Sequence, residues 1–301
     1  MQLIVFFLLY PLITLVSYLP FWLLYKLSDL LYYIMYYVIR YRRRVVSTNL
    51  ALVFPEKTLQ ERKQIEKKFY RHFADLFIEM VKVFNMSLAV IQQRFHFKNV
   101  ALLNKISQQG QNIVVVGGHY ANWEWVFSLA SHTDVFPIAT YLKINNKYFE
   151  RFMLKNRGRF GGRLIETKIL KDALEKYNKD HRLYILGLLA DQSPQLHRSR
   201  YWRTFLGQDV PVFVGPETLA KKYNTAFVFM DIQKLKRGHY EVGFELITQS
   251  PRDFEDFKLT DIFIDKLEAQ IKKRPELYLW THNRFKHIGK KNVVAHLLKK
   301  Q

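Results

Sequence analysis

Apolar positions along this chain follow first a membrane-like pattern and then a globular one. From Leu3 to Tyr25 they are almost continuous and no charged residue interrupts them. A bilayer-spanning helix needs a run of about 20 such residues. Pro11 and Pro20 would kink it, which bilayer helices tolerate. A signal peptide fits less well, because no basic residue precedes the run and no small-x-small cleavage site follows it. A second apolar stretch, Leu30 to Ile39, is too short to span and suits an interface, its tyrosines at headgroup depth. Arg40, Arg42, Arg43 and Arg44 follow at once, which puts the rest of the chain on the cytoplasmic side.

From Thr58 the period becomes that of an amphipathic helix. Thr58-Leu-Gln-Glu61 is a capping box. Ile65, Phe69, Phe73, Leu76, Met80 and Val83 recur at three- and four-residue steps, which predicts a helix to about Phe84. Its other face carries Lys63, Lys67, Lys68 and Arg71. Ser87 can cap a shorter helix, and Phe95 to Phe97 alternates like an edge strand. Strands are then expected at Ile113–Val116, Val135–Leu142 and Arg182–Ala190, with Ala226–Ile232 and Tyr240–Leu246 as an antiparallel pair. Helices are expected at Tyr148–Lys155, Val212–Tyr223 and Thr260–Lys273, with Pro216 at a first helical position. The pattern is α/β: a mixed central sheet flanked by helices, preceded by an N-terminal hydrophobic membrane-anchor helix.

Composition narrows the partners. The chain has 301 residues, a formal charge of +21 and no cysteine. Without cysteine there is no disulfide and no thiol nucleophile, so an acyl-cysteine intermediate is excluded. The charge calls for an acidic partner: a phosphorylated lipid, an anionic leaflet, an acidic carrier protein or nucleic acid. Aromatics at 16%, many of them in the first third, favour the membrane over nucleic acid.

The candidate chemistry sits at the end of the first strong strand. Ile113-Val-Val-Val-Gly117-Gly118-His119-Tyr-Ala-Asn122-Trp-Glu124-Trp125 reads as a buried strand, a glycine-permitted turn and an aromatic segment able to start a helix. His119 and Glu124 are five positions apart, about 140° around a regular helix, so they meet only if His119 lies in the turn. Glu124 would then accept from one ring nitrogen and leave the other free to take a proton from a hydroxyl. Arg157-Gly-Arg159-Phe-Gly161-Gly162 is a basic, glycine-rich turn suited to phosphate, or an ordinary solvated helix end. Asp191, at the end of a strand, can bind substrate hydroxyls, hold Arg157 or cap a turn. Catalysis proper is not expected of Asp191, because His119 and Glu124 already supply a base. The basic, aromatic stretch Leu196 to Gly207 suits the rim of a lipid site, and His282 a structural contact. No metal-ligand spacing and no Walker or dinucleotide glycine pattern occurs, so neither metal nor cofactor is expected.

Four blocks together resemble the bacterial lipid A biosynthesis acyltransferases, the lauroyl/myristoyl transferase family. They are Gly118-His119-x4-Glu124, the stretch Arg42 to Glu56, Ala190-Asp191-Gln192, and Pro275 through Trp280-Thr-His282-Asn-Arg284-Phe285-Lys286. They occur in the family's order over most of the chain. The resemblance implies a glycerolipid-acyltransferase-like fold, with an anchor and interfacial helix at 1–45 and a catalytic domain at 46–301. It implies transfer of a fatty acyl group from an acyl carrier protein thioester to a hydroxyl of a lipid A precursor, at the cytoplasmic face of the inner membrane. His119 would be the general base and Glu124 its orienting acid. Arg157, with Arg159 in reserve, Asp191 and Asn122 would bind substrate. No nucleic acid is expected. A departure is Leu142-Lys143 after Tyr141, where the family often has an Arg. A lysophospholipid or aminolipid acceptor, and a non-enzymatic basic lipid-binding protein, stand as the competing readings.

Overall fold

A computed structural model describes residues 2–292; residues 293–301, the end of the expected basic tail, lie outside them. The N-terminal third is helical: α1 (Gln2–Tyr18), α2 (Phe21–Tyr33), a π-turn (Ile34–Val38), α3 (Arg43–Val53), α4 (Leu59–Lys82) and α5 (Leu88–Gln92). Strands and helices then alternate: β1 (Phe95–Phe97), α6 (Val100–Gln108), β2 (Ile113–Gly117), β3 (Pro137–Tyr141), α7 (Lys147–Gly158), β4 (Arg163–Glu166), α8 (Leu170–Lys179) and β5 (Ile185–Leu189). The last part comprises β6 (Tyr201–Phe205), β7 (Gln208–Val212), α9 (Gly215–Tyr223), β8 (Ala226–Lys236), β9 (His239–Thr248) and α10 (Lys258–Lys273).

Seven strands form one sheet in the order β1-β9-β8-β2-β5-β3-β4, and β6 pairs with β7 in a separate hairpin. Strands β8, β2, β5, β3 and β4 run parallel, while β9 and β1 run the other way at one edge. The β-branched run of β2 is buried on both faces, as a central parallel strand requires. Pro137, which cannot donate to a ladder, stands at the first position of β3. The architecture is a mixed α/β sheet flanked by helices.

The N-terminal membrane-anchor helix expected from the sequence is overturned. Among the described residues, no helix is long and apolar enough to cross a membrane. The uncharged run is not one helix. Pro20 is extended (φ −66°, ψ 153°), so α1 stops at Tyr18 and α2 begins at Phe21. At 1.5 Å per residue the 17 residues of α1 reach about 26 Å, short of a hydrocarbon core of about 30 Å. Helix α2 brings in Lys26 and Asp29. Both helices are tied to protein, α2 through Tyr25 and Ser28, which donate to Glu79 and Asp75. Lys82 Nζ donates to the carbonyls of Ser17 and Leu19 at the end of α1, where a cation also suits the helix dipole. Phe6 packs on Tyr148, Phe149 and Phe152 of α7.

Helix α4 is the fold's polar brace. The capping box is present, with Thr58 Oγ1 accepting from the Glu61 N–H and Glu61 accepting from the Thr58 N–H. Phe69, Phe73, Leu76 and Val83 of the apolar stripe are buried and Ile65 and Met80 half-buried, while Lys63, Lys67, Lys68 and Arg71 are exposed. The buried side also holds His72, Asp75 and Glu79, none more than 4% exposed. Asp75 accepts from Ser28 of α2 and from Arg237 beyond β8, which joins three elements through one carboxylate.

Candidate active site

The site is assembled by strand register. Strands β2 and β5 are parallel neighbours, and Gly117 is paired with Leu189. His119 lies two residues past the first and Asp191 two past the second, so both emerge at the same end of the sheet. His119 Nδ1 is 2.7 Å from Asp191 Oδ1. Asp191 is 1% exposed. Burial alone would raise its pKa, but the charge and hydrogen bond of His119, with the backbone N–H groups of His119 and Asp191, hold it below the ordinary carboxylate value. An ionised carboxylate only accepts, so Nδ1 carries a proton, and in the neutral ring Nε2 is the nitrogen with the lone pair. Burial opposes a charge on His119. The Asp191 carboxylate, and then Glu124, outweigh it and raise the imidazole pKa above the ordinary histidine value.

Glu124 does not take the place at His119 that the sequence suggested. Its Oε2 accepts from Arg157 Nη2 at 2.6 Å, and the guanidinium also lies 4.9 Å above the Phe127 ring. The segment from Trp123 to Ser131 is a 3-10 run rather than an α-helix, which turns Glu124 toward α7. Glu124 therefore reaches the imidazole through its field rather than through a hydrogen bond. Asn122 is fully buried; it caps the 3-10 run by accepting from the Trp125 N–H, and donates to Glu79. Arg159 donates to the Phe84 carbonyl and stacks on Phe160, and does not border the cavity at His119.

That cavity is about 420 Å³ and largely apolar. His119, Glu124, Arg157 and Gln192 give it polar groups, while Trp123, Phe127, Met153 and Met230 form apolar walls. Along its floor run Val115 of β2, Gly187 of β5 and Ala139 of β3, which are mutual register partners on one sheet face. Gly187 contributes room: a Cβ there would meet only the Ile138 carbonyl oxygen, at 3.6 Å. The Trp123 ring stands edge-on to His119, with centroids 5.2 Å apart. Gln192 Nε2 is 3.5 Å from His119 Nε2. Among the described residues, no group of three or more His, Asp or Glu side chains could hold a metal ion.

The basic aromatic stretch does not border this cavity. Tyr201 and Arg203 are spent on Asp261 and Asp265 of α10. His282 accepts from the Ser193 N–H and fixes the turn after Asp191; burial holds its pKa down to about 4, so it is neutral. A larger cleft of about 730 Å³, lined by Lys68, Arg71, Lys234 and Arg237, lies behind α4 and excludes His119. The pairing of Asp191 with His119, and Glu79 altogether, escaped the sequence reading. Asp191 was visible as a strand-end carboxylate, but its pairing with His119 depends on β2 and β5 being neighbours. Glu79 interrupts the buried side of α4 four residues after Asp75, an i,i+4 pair of acids inside an apolar helix face.

The sequence model described as "Bacterial lipid A biosynthesis acyltransferase" matches residues 1–287. The chain is 23% identical over 251 residues to a lipid A biosynthesis palmitoleoyltransferase of Escherichia coli (strain K12), covering 81% of this chain and 79% of that protein. A lipid A biosynthesis acyltransferase of Shigella flexneri matches to the same extent. These relationships remove the non-enzymatic reading. The chain belongs to the bacterial lipid A biosynthesis acyltransferase family and is an enzyme that transfers acyl groups to a lipid A-type acceptor.

Proposed function

We propose that the acyl donor is an acyl carrier protein thioester, that the acceptor group is a hydroxyl of a lipid A precursor, and that His119 is the general base. The observation that carries this reading is the 2.7 Å contact between His119 and the buried Asp191, beside an apolar cavity. Nε2 removes the hydroxyl proton as the oxygen attacks the thioester carbonyl carbon and the C–O bond forms. The tetrahedral intermediate then collapses. Its C–S bond breaks and the departing thiolate takes the proton back from Nε2. Asp191 orients the ring and stabilises the imidazolium between these steps. Backbone N–H groups near Gly117 and Gly118 would receive the oxyanion. Arg157, braced by Glu124, binds an anionic group of the acceptor or donor.

The donor assignment draws on the chain's charge of +21, which suits an acidic carrier protein and lipid phosphates. The reaction is placed at the cytoplasmic face of the inner membrane, where a carrier protein in water can meet an amphiphilic acceptor. The test is purified protein incubated with an acyl carrier protein thioester and a panel of acceptors, read by mass spectrometry. A lipid A precursor gaining the mass of one acyl group is expected. Preferential acylation of a lysophospholipid or aminolipid would overturn the acceptor. Equal transfer from acyl-coenzyme A would overturn the donor.

The acyl chain is assigned to the floor formed by Val115, Gly187 and Ala139. Each buried methylene is worth about 0.8 kcal/mol, so room for two decides roughly fifteenfold between chains. Gly187→Leu fills that room, and a larger residue also suits a strand interior. In a competition among acyl donors, the variant should shift toward chains shorter by a few carbons. An unchanged product distribution would remove Gly187 from the gauge.

A further inference from the structure

The catalytic turn carries local strain. Ala121, two residues after His119, holds φ +51°, a region costly for a residue with a Cβ. Such a conformation persists only where the surroundings fix it. Here they do so from both sides. From the C-terminal segment, the Leu277 carbonyl accepts from the Ala121 N–H, and Leu279 N–H donates to the His119 carbonyl. From α4, neutral His72 has Nε2 3.3 Å from the Ala121 carbonyl, its charge suppressed by burial and by Lys234.

The third brace is Glu79, 0% exposed and outside the proposed chemistry. Its carboxylate accepts from Tyr25 at 2.9 Å, Asn122 Nδ2 at 2.7 Å and Tyr240 at 2.8 Å, and its backbone carbonyl from Trp125 Nε1 at 3.2 Å. Burial pushes its pKa up to about 7, opposed by Lys234 and the phenol hydrogen bonds and reinforced by Asp75. A buried carboxylate with this many donors must be matched to them, since an unmatched buried charge is strongly destabilising. Of the carboxylate's three donors, Asn122 belongs to the catalytic turn, and the main-chain carbonyl of Glu79 holds Trp125 of the 3-10 run.

We infer that Glu79 is a positioning residue, which sets the place of His119 through Asn122. The inference rests on His119 as the base. Asn122→Asp removes the amide donor and sets two buried carboxyls side by side, one of which must take up a proton to relieve the repulsion. It is expected to lower kcat by about tenfold to a hundredfold with little change in KM, because the acyl cavity is untouched. Glu79→Gln can still accept from Asn122 through its amide oxygen while Tyr25 rotates. Combined as Glu79→Gln/Asn122→Asp, the pair is matched again with the amide on the other partner. The double variant should recover most of the kcat lost by Asn122→Asp.

Failure of the double variant to exceed Asn122→Asp overturns the inference, as does a folded Glu79→Leu with full kcat. Should Glu79→Leu not fold, the Gln and Asp pair decides alone. His119→Asn is assayed alongside. If it transfers normally, the general-base reading has failed and the inference falls with it. If it is inactive and the double variant is not rescued, only the role of Glu79 is lost.

Discussion

His119→Asn should leave a folded protein whose transfer rate is down by about 10³-fold or more, the range expected when a general base is removed. Asparagine is the better test than alanine. Its amide can still donate to Asp191 from near the Nδ1 position, but offers no basic nitrogen toward the hydroxyl. His119→Ala is expected to be as inactive and also less stable, because it strands a carboxylate that is 1% exposed. Removing one partner of a buried pair costs about 3–5 kcal/mol before the carboxylate relieves it by taking up a proton. Transfer rates and thermal melting of the two variants check this together. Near-normal transfer by either would exclude His119 as the base.

Asp191→Asn should lower kcat by about 10²- to 10⁴-fold, by analogy with orienting carboxylates in hydrolase triads. It should also move the pH profile. In the native protein Asp191 and Glu124 hold the imidazole pKa above its ordinary value despite burial. A base works only when neutral, so activity is present above that pKa and is lost as pH falls through it. Without the Asp191 charge, burial becomes the stronger influence and the pKa drops. The acid limb of kcat/KM should therefore move to lower pH while the plateau falls. Glu124→Gln, measured beside it, should raise KM more than it lowers kcat, because it releases Arg157. The opposite ranking, with Glu124→Gln crippling kcat and Asp191→Asn mild, would return the orienting role to Glu124.

What the sequence disclosed and what it hid follow from separation along the chain. Elements specified by local rules were legible. Thr58 and Glu61 marked the start of α4, and Ser87 capped the next helix. The β-branched run at 113–116 marked the central strand, and the β8–β9 pair emerged as antiparallel. His119 was legible as a strand-end residue because Gly117 and Gly118 precede it. Its carboxylate partner was not. Glu124 is near in sequence, whereas Asp191 is 72 residues away and becomes a neighbour only through the β2–β5 ladder. The apolar run at the N-terminus misled because hydropathy does not register a helix break. Pro20 divides it, and α2 turns its polar groups toward Asp75 and Glu79.

The ladder joining Gly117 to Leu189 separates two kinds of change. How far apart the imidazole and its carboxylate stand is written in main-chain hydrogen bonds, which are the same whatever side chains the strands carry. What the cavity admits is written in the side chains at 115, 139 and 187, on the same strands. With the acyl chain on that floor, as proposed, substitutions there would retune the length of fatty tail accepted without moving the proposed reactive pair, so descendants of one scaffold would be free to diverge in product while keeping a single chemistry. An inserted residue between Gly117 and His119 would have no such freedom, since it would carry the ring out of the register that sets it beside Asp191 and silence every tail length alike.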